Sequence, residues 1–394
     1  MKKSLFYFFA LFVPFFLFEL ASCQNCDSTY TYTAPVQIDD QLEVASLGEV
    51  GIDTNLIEKG IRKIQCGSFN AVHSVLIYKN GKLVLEEYFP GYKYQWDAPD
   101  YKGELVQWNK EMIHPNMSVT KSYISALIGI AIEKGFISQV EEPIFNYLSE
   151  YDEYRKDGKE KITIEHLLTM SSGLAWNEWG AAHGTSANDI DRLYFDCSDN
   201  PIPCVLERPL VHEPGTFFTY NGGGTVMLGK IIENASGMQL DSFANEYLFH
   251  PLGIDTVAWF RYNDGTFAAD GSSYCKPRDM VKIGRLFLQN GTWNGESILP
   301  QNWVTKSFTA YRNNKDIKIP IEDSGKNDYG YSWWLTKHKH QGKFISFARA
   351  NGWGGQTIFV SPELETVIVF TSGNYAYNSK LFKIANKYLL PAIQ

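Results

Sequence analysis

The chain has 394 residues, 44% of them hydrophobic and 15% aromatic, and a formal net charge of −8. That length and apolar content suffice for a large core or two. The acidic balance lacks the basic footprint of a nucleic-acid binder, and neither internal repeats nor low-complexity segments interrupt the chain.

The amino terminus, MKKSLFYFFALFVPFFLFELASC, sets two lysines before an apolar run broken late by Glu19, then small residues. This is the pattern of an export signal over residues 1–22, not of a membrane span in the mature protein. Leu20-Ala21-Ser22-Cys23 resembles the bacterial lipobox. Cys23 is therefore expected to carry lipid, giving an exported lipoprotein of the periplasm, outer membrane or cell surface; the alternative is plain cleavage near Ala21. Residues 23–45 read as a polar tether. Among the other cysteines, Cys197 and Cys204 bracket CSDNPIPC and suit a small disulfide loop in an oxidising compartment. Their odd number leaves a thiol free if Cys23 is lipidated. His338-Lys339-His340 reads as a solvated loop, and no metal or cofactor is expected.

Further along, HSVLIYKNGKLVLEEYF (73–89) alternates apolar and polar residues around Asn80-Gly81, a strong hairpin signal. Helical spacing follows over 118–134, 162–173, 225–237, 239–249 and 277–291. KFISFARA, QTIFVSP and ETVIVFTS are strand-like runs, and NSKLFKIANKYLLPAI closes as a helix. Strands at both ends and helices between them predict an α+β architecture. Residues 46–110 and 265–394 would form an antiparallel sheet flanked by helices, and 111–264 a helix-rich insertion closing a cleft against it.

The helix that begins near Ser118 carries an anomaly. Lys121 lies in its first turn, where the dipole disfavours positive charge. A solvated lysine there costs only about 0.3–1 kcal/mol. The other reading is that Ser118 and Lys121, three residues apart, share a face, so that the amine takes up the hydroxyl proton. A second Ser-x-x-Lys match runs from Ser273 to Lys276, but Ser273 precedes its helix, which opens at Pro277. Ser118 opens an apolar helix and can offer its own N–H to developing negative charge; Ser122 and Ser125 keep the same face narrow and polar. No Gly-x-Ser-x-Gly elbow competes.

Five blocks then occur in a recognisable order: SVTKSYISALIGIAIEKGFI, ITIEHLLTMSSGL, PGTFFTYNGGGTVMLGKIIE, KPRDMVKIGRLFLQNGTWNG and NGWGGQTIFVSPE. Across roughly residues 45–392 the chain resembles the serine β-lactamase-like family. The likeness is to its class C and penicillin-binding-protein side, which includes carboxylesterases, D-amino-acid peptidases and 6-aminohexanoate-oligomer hydrolases. The resemblance implies the β-lactamase/DD-peptidase-like fold, with Ser118 as nucleophile, Lys121 as its proton partner and Tyr220 as proton relay. Many relatives have asparagine two places after that tyrosine. Here Gly222 stands there, and Asn221 is a candidate substrate contact.

The counterpart of the family's Lys-Thr-Gly strand motif is Ala350-Asn351-Gly352. Gly352 would allow close approach, Trp353 would supply the second oxyanion N–H, and Asn351 is a candidate substrate contact. The missing lysine and threonine weigh against β-lactam hydrolysis, and strand alternation turns Arg349 away if Ala350 faces the cleft. The implied partners are a small ester, amide or peptide substrate and, through Cys23, a membrane. The implied activity is acyl-enzyme hydrolysis of small esters or amides. The alternatives are a D-amino-acid peptidase or β-lactamase, and a non-catalytic binding lipoprotein.

Overall fold

The computed structural model describes residues 29–312 and 314–393. The signal segment and Cys23 lie outside them. Eight strands form one antiparallel sheet: β1 Val72–Lys79, β2 Lys82–Tyr88, β3 Ile317–Lys318, β4 Lys326–Tyr329, β5 Trp334–His340, β6 Lys343–Gly352, β7 Gln356–Ser361 and β8 Thr366–Ser372. Their order is β3-β4-β5-β6-β7-β8-β1-β2, so the amino-terminal hairpin adds to the edge of a carboxy-terminal meander. The hairpin turns at Asn80 and Gly81, both left-handed at φ 50° and 85°, as a tight primed turn requires.

Both faces of the sheet are covered. Along β1, Val75 and Ile77 join the cluster under α1 (Thr54–Gln65), whereas Leu76 and Tyr78 face the opposite way, as a two-residue period dictates. Helix α1 buries Ile57, Ile61 and Ile64 at helical spacing and is capped by Asp53, which accepts from Asn55 N at 2.9 Å. The carboxy-terminal helix starts at Leu381 and packs beside it. On the other face lie α2 (Val119–Glu133), α4 (Gly222–Ser236) and α5 (Pro277–Leu288), with the short α3 (Asp189–Phe195) further out. The sheet and the helical region share one hydrophobic core. Ile124 and Leu127 of α2, Val226 and Met227 of α4, and Ile358 and Val360 of β7 belong to one buried cluster.

Three expectations need correction. The described part of the polar tether is docked: Tyr32 Oη donates to Val84 O at 2.8 Å, Val44 bridges Leu83, and Leu42 is buried. Its apolar and aromatic residues find the edge of β2. His338 and His340 sit on β5 and point inward on its alternating pattern, and His338 Nδ1 contacts Asn386 Oδ1 at 2.7 Å. The helix expected over 162–173 spans only Ile164–Leu168, because Met170 (φ 55°) and Gly173 (φ 80°) adopt left-handed backbone. Cys197 and Cys204 form the short-loop disulfide. Cys275 is a buried free thiol, pushed up to about 12 by desolvation.

Arg278 on α5 ties three segments together. Its guanidinium is 3% exposed and meets Glu86 at 2.6 and 2.8 Å, Asp40 at 2.9 Å and the Val36 carbonyl at 2.9 Å. Breaking a buried pair strands its charges. Arg278→Met is expected to destabilise the protein by about 3–5 kcal/mol in denaturant titrations, with the docked 36–40 segment becoming protease-sensitive.

Candidate active site

The Ser118 turn is braced from below. Asn116 N donates to Ser273 O at 2.9 Å, and Asn116 Nδ2 donates to Ser273 Oγ at 3.0 Å. Thr120 Oγ1 and Ser273 Oγ are 2.7 Å apart. The serine of the second Ser-x-x-Lys match is thus a fully buried support, and its Lys276 pairs with Glu111 on the surface. Met117 adopts a left-handed φ of 48° just before Ser118, the kind of local strain found where a reactive side chain is presented. Ser122 Oγ and Ser125 Oγ donate to the carbonyls of Ser332 and Tyr331, fastening α2 to the loop ahead of β5.

Lys121 resolves the anomaly of its position. It is 2% exposed, and its Nζ donates to Ser118 Oγ at 2.9 Å and to the Asp270 carbonyl at 2.5 Å. The Tyr220 ring lies 5.0 Å from the ammonium, and its phenol is within hydrogen-bond reach of Ser118. Burial, reinforced by the nearby Glu178 charge, raises the phenol above its ordinary range, while the Ser118 contact opposes the rise. The phenol therefore holds its proton unless a base is close. Beneath Lys121, the Asp270 carboxylate accepts from Tyr194 at 3.0 Å and Tyr262 at 3.1 Å. Burial raises its pKa and the Lys121 charge counteracts.

The end of β6 closes the other side. A Cβ added to Gly352 would press into Asn116 O and lie 3.0 Å from Met117 Cβ and 3.1 Å from Ser118 N. Only glycine lets the strand come this close. Among the described residues, no protein acceptor takes the backbone N–H of Ser118 or Trp353, which leaves two donors for an oxyanion. Asn351 lines the cleft and accepts from Thr357 Oγ1 at 3.1 Å. Arg349 turns away onto Phe382 and forms a two-point pair with Glu322 at 2.7 and 3.0 Å.

Asn221 is not part of this cleft. Its Oδ1 caps α4 by accepting from Gly224 N at 3.0 Å, and the side chain is buried. At Gly222, a side chain would project to within 3.1 Å of Glu178 Oε2. Glu178 instead occupies that direction, accepting from Gly222 N at 2.7 Å and Trp176 Nε1 at 2.9 Å. Sequence reasoning passed over Glu178, Asp270 and Trp179, and reached Trp334 only within the YGYSWWL run (329–335), which reads as core and cleft wall. Trp179 stacks 4.8 Å from Tyr220, with Trp334 5.9 Å from the same ring. All four are remote from Ser118 in sequence, and only the density of aromatic residues hinted at a walled cleft. The cavity they enclose with Ser118 measures about 930 Å³.

A serine-bearing helix start, set between an antiparallel sheet and a helical region, defines the class of serine β-lactamases and penicillin-binding proteins. The chain belongs to the Beta-lactamase family, whose model matches residues 69–389, and is a serine hydrolase related to its esterases and amidases. It is 24% identical over 311 residues to the 6-aminohexanoate-dimer hydrolase of Paenarthrobacter ureafaciens, covering 75% of this chain and 70% of that one. The octameric penicillin-binding protein homologue from Pyrococcus abyssi superposes with a TM-score of 0.61 at 21% identity, over 84% of this chain and 75% of that one. EstCE1, a hydrolase with promiscuous acyltransferase activity, gives 0.59 at 15% identity over 81% and 93%.

Capping and substrate contact make different demands on Asn221. Asn221→Ala is expected to cost about 0.5–2 kcal/mol of stability in denaturant titrations while leaving KM for a small ester within about twofold. A large KM effect at unchanged stability would return the residue to the cleft.

Proposed function

We propose that the protein hydrolyses small esters or amides through an acyl-enzyme on Ser118. The observation that carries this reading is the Lys121 amine 2.9 Å from the Ser118 hydroxyl, with the Tyr220 ring beside it. Ser118 Oγ attacks the substrate carbonyl as its proton passes to the free amine of Lys121, while Tyr220 keeps its own. The new oxyanion is held by the N–H groups of Ser118 and Trp353. Tyr220 protonates the leaving atom, then helps activate the deacylating water. Burial keeps the phenol protonated and so loaded as a donor, and Lys121 at hand supplies the proton that replaces the one given up. Export through the amino-terminal signal, with lipid on Cys23, belongs to the same reading and is supported by the sequence alone.

An active-site fluorophosphonate is expected to label Ser118, and Ser118→Ala to abolish labelling. Lys121→Ala and Tyr220→Phe are each expected to slow turnover about 10²–10⁴-fold, with much smaller effects on binding of an uncleaved analogue. An adduct on another serine, or near-normal turnover in either variant, would remove the relay.

A β-lactam presents a carboxylate beside its scissile amide. Ala350 is buried in the core, Asn351 is neutral, and Arg349 is committed to Glu322. Losing one charge-assisted hydrogen bond costs about 1.5–3 kcal/mol, or roughly ten- to hundredfold. Short neutral esters are therefore expected to exceed a chromogenic cephalosporin by orders of magnitude in kcat/KM. The reverse ranking would favour the β-lactamase or D-amino-acid peptidase alternative.

A further inference from the structure

The rings beside the oxyanion donors continue past the reacting centre to the surface. Tyr101 meets Trp353 edge-on at 4.9 Å, Trp96 lies 5.6 Å from Tyr101, and Phe195 lies 5.1 Å from Trp96. The four come from three separate places: the end of β6, the turn of a ribbon formed by Pro90–Tyr94 and Lys102–Gln107, and the last turn of α3. All four line the cleft. Phe195 is 57% exposed and the other three are half-buried. The charges nearest the turn satisfy one another, since Lys102 pairs with Asp100 at 3.1 Å. His183, stacked on Trp353 at 4.2 Å, is held by Asp191 at 2.9 Å.

A row of cleft-lining rings that starts at a reactive carbonyl site and ends in water at Phe195 marks a place for apolar substrate. Geometry gives its direction. In the acyl-enzyme mechanism the carbonyl oxygen faces the Ser118 and Trp353 N–H groups and the leaving atom faces Tyr220. The third substituent of that carbon is the acyl chain, and the open path beside Trp353 is the aromatic row.

We infer that the preferred substrates are esters or amides with a medium-length alkyl or arylalkyl acyl group, laid along Trp353, Tyr101 and Trp96 to Phe195. This rests on the acyl-enzyme reading. Each methylene moved fully from water onto such a surface contributes at most about fourfold in binding, so several partly buried methylenes amount to tenfold or more.

The test is kcat/KM for p-nitrophenyl esters from acetyl to dodecanoyl, with wild type, Trp96→Ala and Phe195→Ser. The wild-type value should climb at least about tenfold from acetyl to decanoyl, and each substitution should lower the decanoyl-to-acetyl ratio severalfold. A flat or falling wild-type series, or a ratio untouched in both variants, overturns the inference. Binding of decanamide against acetamide to Ser118→Ala protein, followed by tryptophan fluorescence, separates the two readings. Tight decanamide binding that Phe195→Ser weakens, without fluorophosphonate labelling of Ser118 in wild type, would sink the acyl-enzyme reading while keeping the apolar track. Ser118 labelling with no chain-length preference in either assay would sink the track alone.

Discussion

The site depends on where one buried amine is held. Lys121 Nζ is shared between the Ser118 hydroxyl and the Asp270 main-chain carbonyl, and neither contact alone would fix it. The carbonyl keeps the flexible side chain folded back across the first turn of α2, so the helix start holds the amine without exposing it to water. Asp270 can serve only because Tyr194 and Tyr262 satisfy its own buried carboxylate; an unpaired carboxylate at that depth would cost several kcal/mol. The tyrosines thus act on Ser118 at third hand: they settle Asp270, Asp270 settles Lys121, and Lys121 meets the hydroxyl.

The sheet makes the same site from the other side. Strands β7, β8 and β1 are buried along their whole length, which fixes β6 in register against β7. That register delivers Gly352 to the Ser118 backbone, where a side chain would collide. The Ser118 turn in turn rests on Ser273 and Asn116. Rigid elements therefore set both walls of the cleft, and the irregular segments around Trp96, Glu178 and His183 shape its interior. This division puts precision at the reacting atoms and variability in what surrounds them.

How much of this could be read from the sequence followed from the range of each signal. The hairpin at Asn80-Gly81 and the helices over 118–134 and 277–291 were legible because a local pattern and a turn or cap agree. Ser118 and Lys121 were legible because their pairing is written in three residues, and Tyr220 because a family motif surrounds it. Asp270 and Glu178 were not: each acts through contacts that exist only after α3, α4 and the sheet have packed. Asn221 misled because a capping asparagine and a substrate-binding one look alike in sequence, and the backbone N–H of Gly224 decided between them. The inward histidines on β5 misled for a related reason. A charged flank around Lys337 and Lys339 reads as solvated until alternation is anchored by a neighbouring strand.

The charges of the cleft explain why its selectivity would be graded. Arg349, the cation nearest the third motif, is spent on Glu322, itself a cleft-lining carboxylate, and Glu178 fills the direction open to a side chain at Gly222. No arginine lines the cavity among the described residues; its one lysine, Lys121, is held at Ser118, and His183 is held by Asp191. A substrate anion would therefore enter a site with no unengaged counter-charge and with carboxylates close by. Neutral groups meet aromatic walls instead, and such walls distinguish ligands by area, at a few-fold per methylene. A buried ionic contact discriminates much more steeply, because its loss strands a charge. On the same nucleophile, replacing ionic recognition by aromatic surface would give an enzyme that ranks many esters and amides gradually instead of admitting one carboxylate-bearing class.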